Sequence, residues 1–112
     1  MKIISAIVKP FKVDEVKDAL VRMGVEGMTV TDVNGFGHQK GGREIYNAIE
    51  YTANFVPKVK IEVFVEDSLV QGVIDTITRN AQTDSAGDGK IFVLDVVSAV
   101  RIKTGQMCAS AL

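Results

Sequence analysis

The sequence is poor in the residues that carry most enzymatic and metal chemistry. It contains one cysteine, Cys108, and one histidine, His38, among 112 residues. A single cysteine excludes a disulfide or a multi-cysteine metal site within these residues and fits a reducing compartment. A histidine pair, a GxSxG stretch and Walker A spacing are all missing. Catalysis therefore has few candidate residues, and a binding role is favoured.

An excess of one charge and long apolar runs are also lacking. Thirteen Lys and Arg face 14 Asp and Glu, and the net charge of -1 gives no general attraction to nucleic acid or anionic lipid. An RNA-binding sheet based on Phe64 and Phe92 is disfavoured by that charge and by the lack of an RNP-like aromatic run. The apolar run in MKIISAIVK is too short for a signal sequence, and no run reaches membrane-spanning length. We expect a cytoplasmic protein without a nucleic-acid partner.

Apolar residues make up 46% of the chain, enough for the core of one domain spanning 1–112. Runs rich in Ile and Val, or alternating apolar and polar, predict strands at 2–8, 27–33, 56–66 and 90–102. Helical spacing predicts a helix from Val13 to a stop at Gly24 and a second helix with Asp67 as its N-cap. The order βαββαβ predicts an α+β, ferredoxin-like fold with an antiparallel sheet and both helices on one face.

This arrangement leaves one face of the sheet bare, although the last strand offers apolar residues to both faces. We expect another copy of the chain to cover it. The connection between the second and third strands, 35–56, reads GFGHQKGGREIYNAIEYTANFV and far exceeds the usual hairpin length. Such a loop is functional or disordered, and two tyrosines in it, Tyr46 and Tyr51, suggest a docking contact or a modification site.

Three groups of residues are candidates for binding anions. In TDSAGDGK, two glycines allow backbone N–H groups to converge beside Lys90, although such a stretch is often only a turn. Arg101 and Lys103 lie two apart near the end of the strand that Lys90 begins, so they share one side of it. They would join Lys90 across subunits or through a folded-back tail, or else form a solvated strand end. Lys58 could bind a small carboxylate or simply lie on the wet side of an edge strand.

Four stretches, KPFKVDEV, GMTVTDVNGFGHQKG, FVPKVKIEV and TDSAGDGKIFVLDV, resemble the PII nitrogen-regulatory signal transduction proteins over nearly the whole chain. Residues 83–92 meet one of that family's two signatures in full. The resemblance implies a non-enzymatic homotrimer whose sheets face inward. It also implies a T-loop at 35–56, a phosphate-binding B-loop at 82–90 and a C-terminal segment at 101–112.

The resemblance further implies ATP or ADP sites between subunits, with residues 35–39 supplied by the neighbouring chain. Mg²⁺ would be held by Gln39 and the ATP phosphates, and 2-oxoglutarate would bind this ion and pair with Lys58. The bound ligands would control, through the T-loop, a target transporter or enzyme, and membrane contact would come only through an ammonium or other transporter. The implied nucleotide residues are Thr29, Gly35, Phe36, Gly37, His38, Gln39, Phe64, Gly87, Asp88, Gly89, Lys90, Arg101 and Lys103.

The second family signature is met only in part, because YNAIEY keeps Tyr46 and Tyr51 but has Asn47 and Ala48 where a basic residue and glycine are usual. The alternative is therefore a divergent adenylate sensor with a different partner and no uridylylation of Tyr51. Lys103 and His38 stand where Arg is common, and Lys lacks the bidentate fork of Arg. A second alternative is a small phosphate-processing enzyme that uses His38.

Overall fold

The computed structural model describes residues 1–36 and 55–112. Within them the chain forms four strands and two helices that alternate as β1, α1, β2, β3, α2 and β4. Their bounds are Lys2–Val8, Val13–Arg22, Thr29–Gly35, Val56–Val65, Val70–Ala81 and Lys90–Asp95, respectively. The strands pair antiparallel in the order β2-β3-β1-β4. The predicted ferredoxin-like α+β fold is confirmed.

Helix α1 begins and ends largely as the sequence predicts. A 3-10 turn at Pro10–Lys12 leads into it, and Asp14 and Glu15 occupy its first turn, where the helix dipole favours negative charge. Gly24 follows its last turn with a φ of 104°, a conformation that an L side chain rarely adopts. The N–H of Val25 then donates to the carbonyl of Leu20 at 3.0 Å, which closes the end of the helix.

The prediction that Asp67 caps α2 through its side chain is wrong. A 3-10 turn at Asp67–Leu69 precedes the helix, and the N-cap residues of the two elements, Glu66 and Leu69, make no side-chain capping hydrogen bond. The carboxylate of Asp67 instead accepts a hydrogen bond from the amino group of Met1 at 2.9 Å. That charged donor lowers the pKa of Asp67, with Lys2 adding to the effect. A cationic amine offers this carboxylate a stronger partner than a backbone N–H does.

The core lies between the helices and one face of the sheet. Ile4 of β1, Leu20 of α1, Ile61 of β3 and Ile77 of α2 are almost completely inaccessible to water. Burying each such side chain stabilises the fold by roughly 1.5–3 kcal/mol. The central strands, β1 and β3, provide most of this core. Its members are the even-numbered residues of β1 from Ile4 and the odd-numbered residues of β3 from Val59, which face the helices.

Strand β4 ends at Asp95, so the predicted extension to residue 102 is wrong. Its only partner in the described chain is β1, and the ladder reaches the start of β1 at the pair Lys2↔Asp95. Beyond that pair the N–H of Val96 still donates to the carbonyl of Met1 at 3.2 Å, but β1 has no further strand residue to pair with. The chain turns at 101–104 and returns, with a bridge between Val100 and Met107. The prediction that Arg101 and Lys103 share one side of a strand therefore fails.

The sheet face that points away from the helices is apolar and open in the single chain. Phe64 of β3, Phe92 of β4 and Leu94 of β4 are 46%, 50% and 51% exposed. Ile3 stands between Phe64 and Leu94 in the register, and Ser5 stands beside Phe92. The bare face expected from the sequence is present, and solvated apolar side chains at this density favour a covering partner.

Candidate functional site

The loop Thr83–Gly89 joins α2 to β4 and is organised around the carboxylate of Asp88. This carboxylate accepts hydrogen bonds from the backbone N–H of Thr83 at 2.7 Å, from the Thr83 hydroxyl and from the N–H of Asp84 at 3.2 Å. The Thr83 hydroxyl, followed by its N–H, holds the pKa of Asp88 far below its usual range. Asp88 is thus an anion that turns inward to hold its own loop together.

Lys9, which follows β1, closes this loop from the side. Its ammonium lies 3.1 Å from a carboxylate oxygen of Asp88 and donates to the hydroxyls of Thr83 and Ser85, both at 3.1 Å. All three donors of the ammonium are therefore used. Lys9, Thr83 and Ser85 are site residues that are not among those predicted from the sequence. The stretch TDSAGDGK contains the two hydroxyls, but nothing in the sequence pairs it with Lys9, 74 or more residues away.

Gly89 makes the close approach of this loop to β1 possible. Its φ is 108°, and a Cβ built there would lie 1.7 Å from the carbonyl oxygen of Ile7. Gly87 also has a positive φ, 87°. Both positions therefore depend on glycine, as the sequence suggests, and the requirement is steric at Gly89 and conformational at both.

Around Gly87 the loop presents backbone donors. Among the described residues, no partner accepts from the N–H groups of Ala86, Gly87 or Asp88, whereas those of Thr83, Asp84 and Ser85 are all used within the loop. The exposed Lys90 begins β4 directly after them. Successive free N–H groups beside a cation form a concave site for an oxyanion.

Lys58 also contacts this loop. It lies on β3, is only 7% exposed, and donates from its ammonium to the carbonyl of Gly87. Burial is the main reason that its pKa is lowered, and the charge on Lys9 lowers it further. The interpretation of Lys58 as the wet side of an edge strand is wrong, because β3 lies between β2 and β1.

The base of the long 35–56 connection meets the same end of the sheet. A Cβ on Gly35 would lie 3.2 Å from Cγ of Lys58, so this glycine allows the lysine stem to pass. Phe36 is the last residue of the described range 1–36, and Phe55 is the first of 55–112. Their ring centroids are 5.4 Å apart. Gly35 and Gly87 therefore contact one lysine within a single chain, which differs from the prediction that the loop base comes from a neighbour.

The remaining predicted residues collect at the other end of the sheet. Thr29, Phe64 and Arg101 line a cleft of about 780 Å³ together with part of the C-terminal segment. The guanidinium of Arg101 donates to the carbonyl of Leu112 at 3.0 Å, because the chain folds back at the Val100 and Met107 bridge. Lys103 is exposed on the turn beyond Arg101 and does not line the cleft.

The predicted nucleotide set is thus divided between two ends of one sheet. Lys90 pairs with Ile7, whereas Asp95, where β4 ends beside the cleft, pairs with Lys2. Five residues of antiparallel strand separate the two ends by about 17 Å. One group contains the loop Thr83–Gly89 with Lys58 and Lys90, and we call it the phosphate-loop half. The other contains Thr29, Phe64 and Arg101, and we call it the cleft half.

Four predicted residues, Gly37, His38, Gln39 and Tyr51, lie outside the described residues. Within 1–36 and 55–112, no three His, Cys, Asp or Glu side chains are grouped closely enough to hold a metal ion. No helix in these ranges is both long and apolar enough to cross a membrane. The described part of the predicted site contains Lys58, Lys90 and several backbone N–H donors, a combination suited to binding phosphate.

Comparisons with known proteins agree on one family. The family described as "Nitrogen regulatory protein P-II" matches residues 1–106. The chain is 57% identical to nitrogen regulatory protein P-II 1 of Escherichia coli K12, over 95% of both chains, and 54% identical to P-II of Bradyrhizobium diazoefficiens over all of both. A crystal structure of Arabidopsis thaliana PII bound to citrate superposes with a TM-score of 0.83 at 39% identity, covering 99% of this chain and 91% of that one.

Proposed function

The chain belongs to the nitrogen regulatory protein P-II family, and on that premise we propose that it is a trimeric adenylate sensor that controls a target protein through its T-loop. Members of the family are regulatory signalling proteins and not enzymes. The reading as a phosphate-processing enzyme based on His38 is therefore set aside. The family also forms trimers and regulates target proteins, which agrees with an open apolar sheet face in need of a partner.

The proposal is supported mainly by the backbone donors and cations of the phosphate-loop half. Three successive backbone N–H groups, those of Ala86, Gly87 and Asp88, lack partners in the described chain beside the cation of Lys90. Backbone N–H groups that turn toward one point bind anions, and phosphate oxygens are suitable acceptors. Lys58 adds a second cation below the loop. We propose that the phosphates of ATP or ADP bind here.

The cleft half would hold the rest of the nucleotide, supplied by a neighbouring subunit. Within one chain the two halves lie at opposite ends of β4, about 17 Å apart along the strand. A trimer with its open sheet faces turned inward would bring the cleft half of one subunit to the phosphate loop of the next. Arg101 would then supply a positive charge from across the interface, as would Lys103.

Magnesium and 2-oxoglutarate belong to the proposal as effectors that act with ATP. No metal-binding group of acidic residues lies among residues 1–36 and 55–112, so the ligands of Mg²⁺ would be phosphate oxygens with Gln39. Such hard oxygen ligands suit this ion. Lys58 could exchange its bond to the Gly87 carbonyl for a carboxylate of 2-oxoglutarate. A carboxylate would compensate the buried positive charge of Lys58 better than the neutral carbonyl of Gly87 does.

The T-loop, 35–56, would report the bound ligands to a target transporter or enzyme. A ligand can do so only by favouring one arrangement of the loop over another. Asn47 and Ala48 leave the alternative in place, a divergent adenylate sensor with another partner and no uridylylation of Tyr51. Stronger binding of 2-oxoglutarate in the presence of Mg-ATP would support the first reading, and independence from Mg-ATP would favour the alternative.

Replacing Lys90 with alanine tests where the phosphates bind. We expect Lys90→Ala to weaken ATP binding by about 10- to 100-fold, because a hydrogen bond to a charged group contributes roughly 1.5–3 kcal/mol. Isothermal titration calorimetry of the purified protein measures this change. Light scattering on the same sample should show that the assembly is unchanged, because alanine at the start of β4 adds no charge to the apolar sheet face.

Lys17→Ala is the matched control for the loss of one cation. Lys17 is half exposed on α1 and contacts only Asp18, at 3.6 Å, among the ion pairs of the described residues. Its ATP affinity should equal that of the unmodified protein. Equal affinity in Lys90→Ala and Lys17→Ala would remove the phosphate site from the loop Thr83–Gly89.

A further inference from the structure

Lys9 is outside every group of residues assigned to ligand contact, yet it has the most complete set of polar partners in the phosphate-loop half. Its side chain is 17% exposed, and its ammonium contacts Asp88, Thr83 and Ser85, each at 3.1 Å. These partners belong to one loop, and Lys9 lies between the end of β1 and the 3-10 turn that follows. These contacts use all three N–H donors of the Lys9 ammonium, so none remains to bind a ligand directly.

The partner that matters most is Asp88, because it places a negative charge inside a loop built to receive negative charge. Its carboxylate is 24% exposed and remains ionised, since the Thr83 donors and Lys9 lower its pKa. Without a compensating cation, this carboxylate would repel phosphate groups at the N–H groups of Ala86, Gly87 and Asp88. The Thr83 and Asp84 donors would still hold the carboxylate, so the loss of Lys9 would act mainly through charge.

We propose that Lys9 is a positioning residue for the phosphate loop, which neutralises Asp88 and fixes it against Thr83 and Ser85 so that the loop presents its backbone N–H groups to the ligand. This inference rests on the proposed function, because it concerns the same nucleotide site. Lys9 and Lys58 then have separate roles in the loop. Lys9 holds the carboxylate, and Lys58 holds the carbonyl of Gly87.

Calorimetric titration of Lys9→Met with ATP and with ADP tests this role. We expect the affinity for ATP to fall by about tenfold and the affinity for ADP to fall less, because the uncompensated charge of Asp88 repels the more highly charged ligand more strongly. A residue that only stabilised the fold would weaken both ligands equally. Equal losses, or no loss, would overturn the inference.

Lys12→Met is the matched control. Lys12 lies in the same 3-10 turn, its side chain is 18% exposed, and it pairs with Glu15 at 3.3 Å instead of with the loop. Its affinities for both nucleotides should stay within about twofold of the unmodified protein. A loss as large as that of Lys9→Met would assign the effect to general positive charge and contradict the inference.

The double variant Lys9→Met/Asp88→Asn distinguishes action of Lys9 through Asp88 from direct contact of Lys9 with the ligand. It also keeps the inference testable if Lys9→Met alone fails to fold. In the Asp88→Asn background, removing Lys9 should leave ATP affinity within about threefold, since the charge to be neutralised is gone. A further tenfold loss would mean that Lys9 acts on the ligand itself and would refute the positioning role. Failure of the unmodified protein to bind ATP would instead refute the proposed function.

Discussion

Gly89→Ala is expected to be among the most destabilising single-methyl changes in this protein. The added Cβ would lie 1.7 Å from the carbonyl oxygen of Ile7, and a φ of 108° is itself unfavourable for alanine. Since β1 is central in the sheet, its backbone cannot move aside without disturbing β3 and β4. We expect a loss of about 3 kcal/mol or more in the free energy of unfolding, together with loss of ATP binding.

Gly24→Ala separates the two causes of this effect. Gly24 has nearly the same φ, 104°, but nothing lies within 4 Å of a Cβ built there. It should therefore lose only the conformational part, about 1–2 kcal/mol. Chemical denaturation of both variants measures the difference. If Gly89→Ala were no less stable than Gly24→Ala, the close approach of the phosphate loop to β1 would be refuted.

Phe92→Asp is expected to dissociate the proposed trimer. Phe92 is 50% exposed on the sheet face that points away from the helices, and Ser5 separates it from Glu62 in the same row of the sheet. An aspartate there would be buried without a partner in the trimer, at a cost of about 3–5 kcal/mol for each copy. Light scattering at micromolar concentration should give the mass of a single chain.

Val21→Asp controls for a new charge on an exposed apolar position. Val21 is 57% exposed on α1, and the helices lie on the other side of the sheet. This variant should remain a trimer. A trimeric Phe92→Asp protein would show that the open sheet face is not the assembly surface.

The sequence predicts those elements whose pattern is local. Alternation in β3 and the helical stripe of α1 follow from side chains that face the core, and Gly24 ends α1 because its backbone must adopt a positive φ. The ends of α2 and β4 were less predictable. Asp67 bonds with the amino group of Met1, and β4 stops where β1 begins. Both outcomes depend on residues that are distant in sequence.

The candidate site shows the same distinction. Gly87, Gly89 and Lys90 are visible in one short stretch, and the structure places them in one loop. Lys9 was missed because its role depends on the β1 and β4 register, which brings the end of β1 beside that loop. Arg101 was expected on the strand that Lys90 begins, but the chain folds back and places it in the cleft half.

Complementation between two defective subunits tests the central claim most directly. Lys90→Ala impairs the phosphate-loop half and Arg101→Ala impairs the cleft half, so trimers of either variant alone should bind ATP weakly. In a trimer that contains both variants, one interface joins two intact halves. Calorimetry of jointly refolded, differently tagged subunits should therefore show about one site of unmodified affinity for each mixed trimer. Mixed trimers that bind ATP no better than the separate variants would contradict a site shared between neighbouring chains.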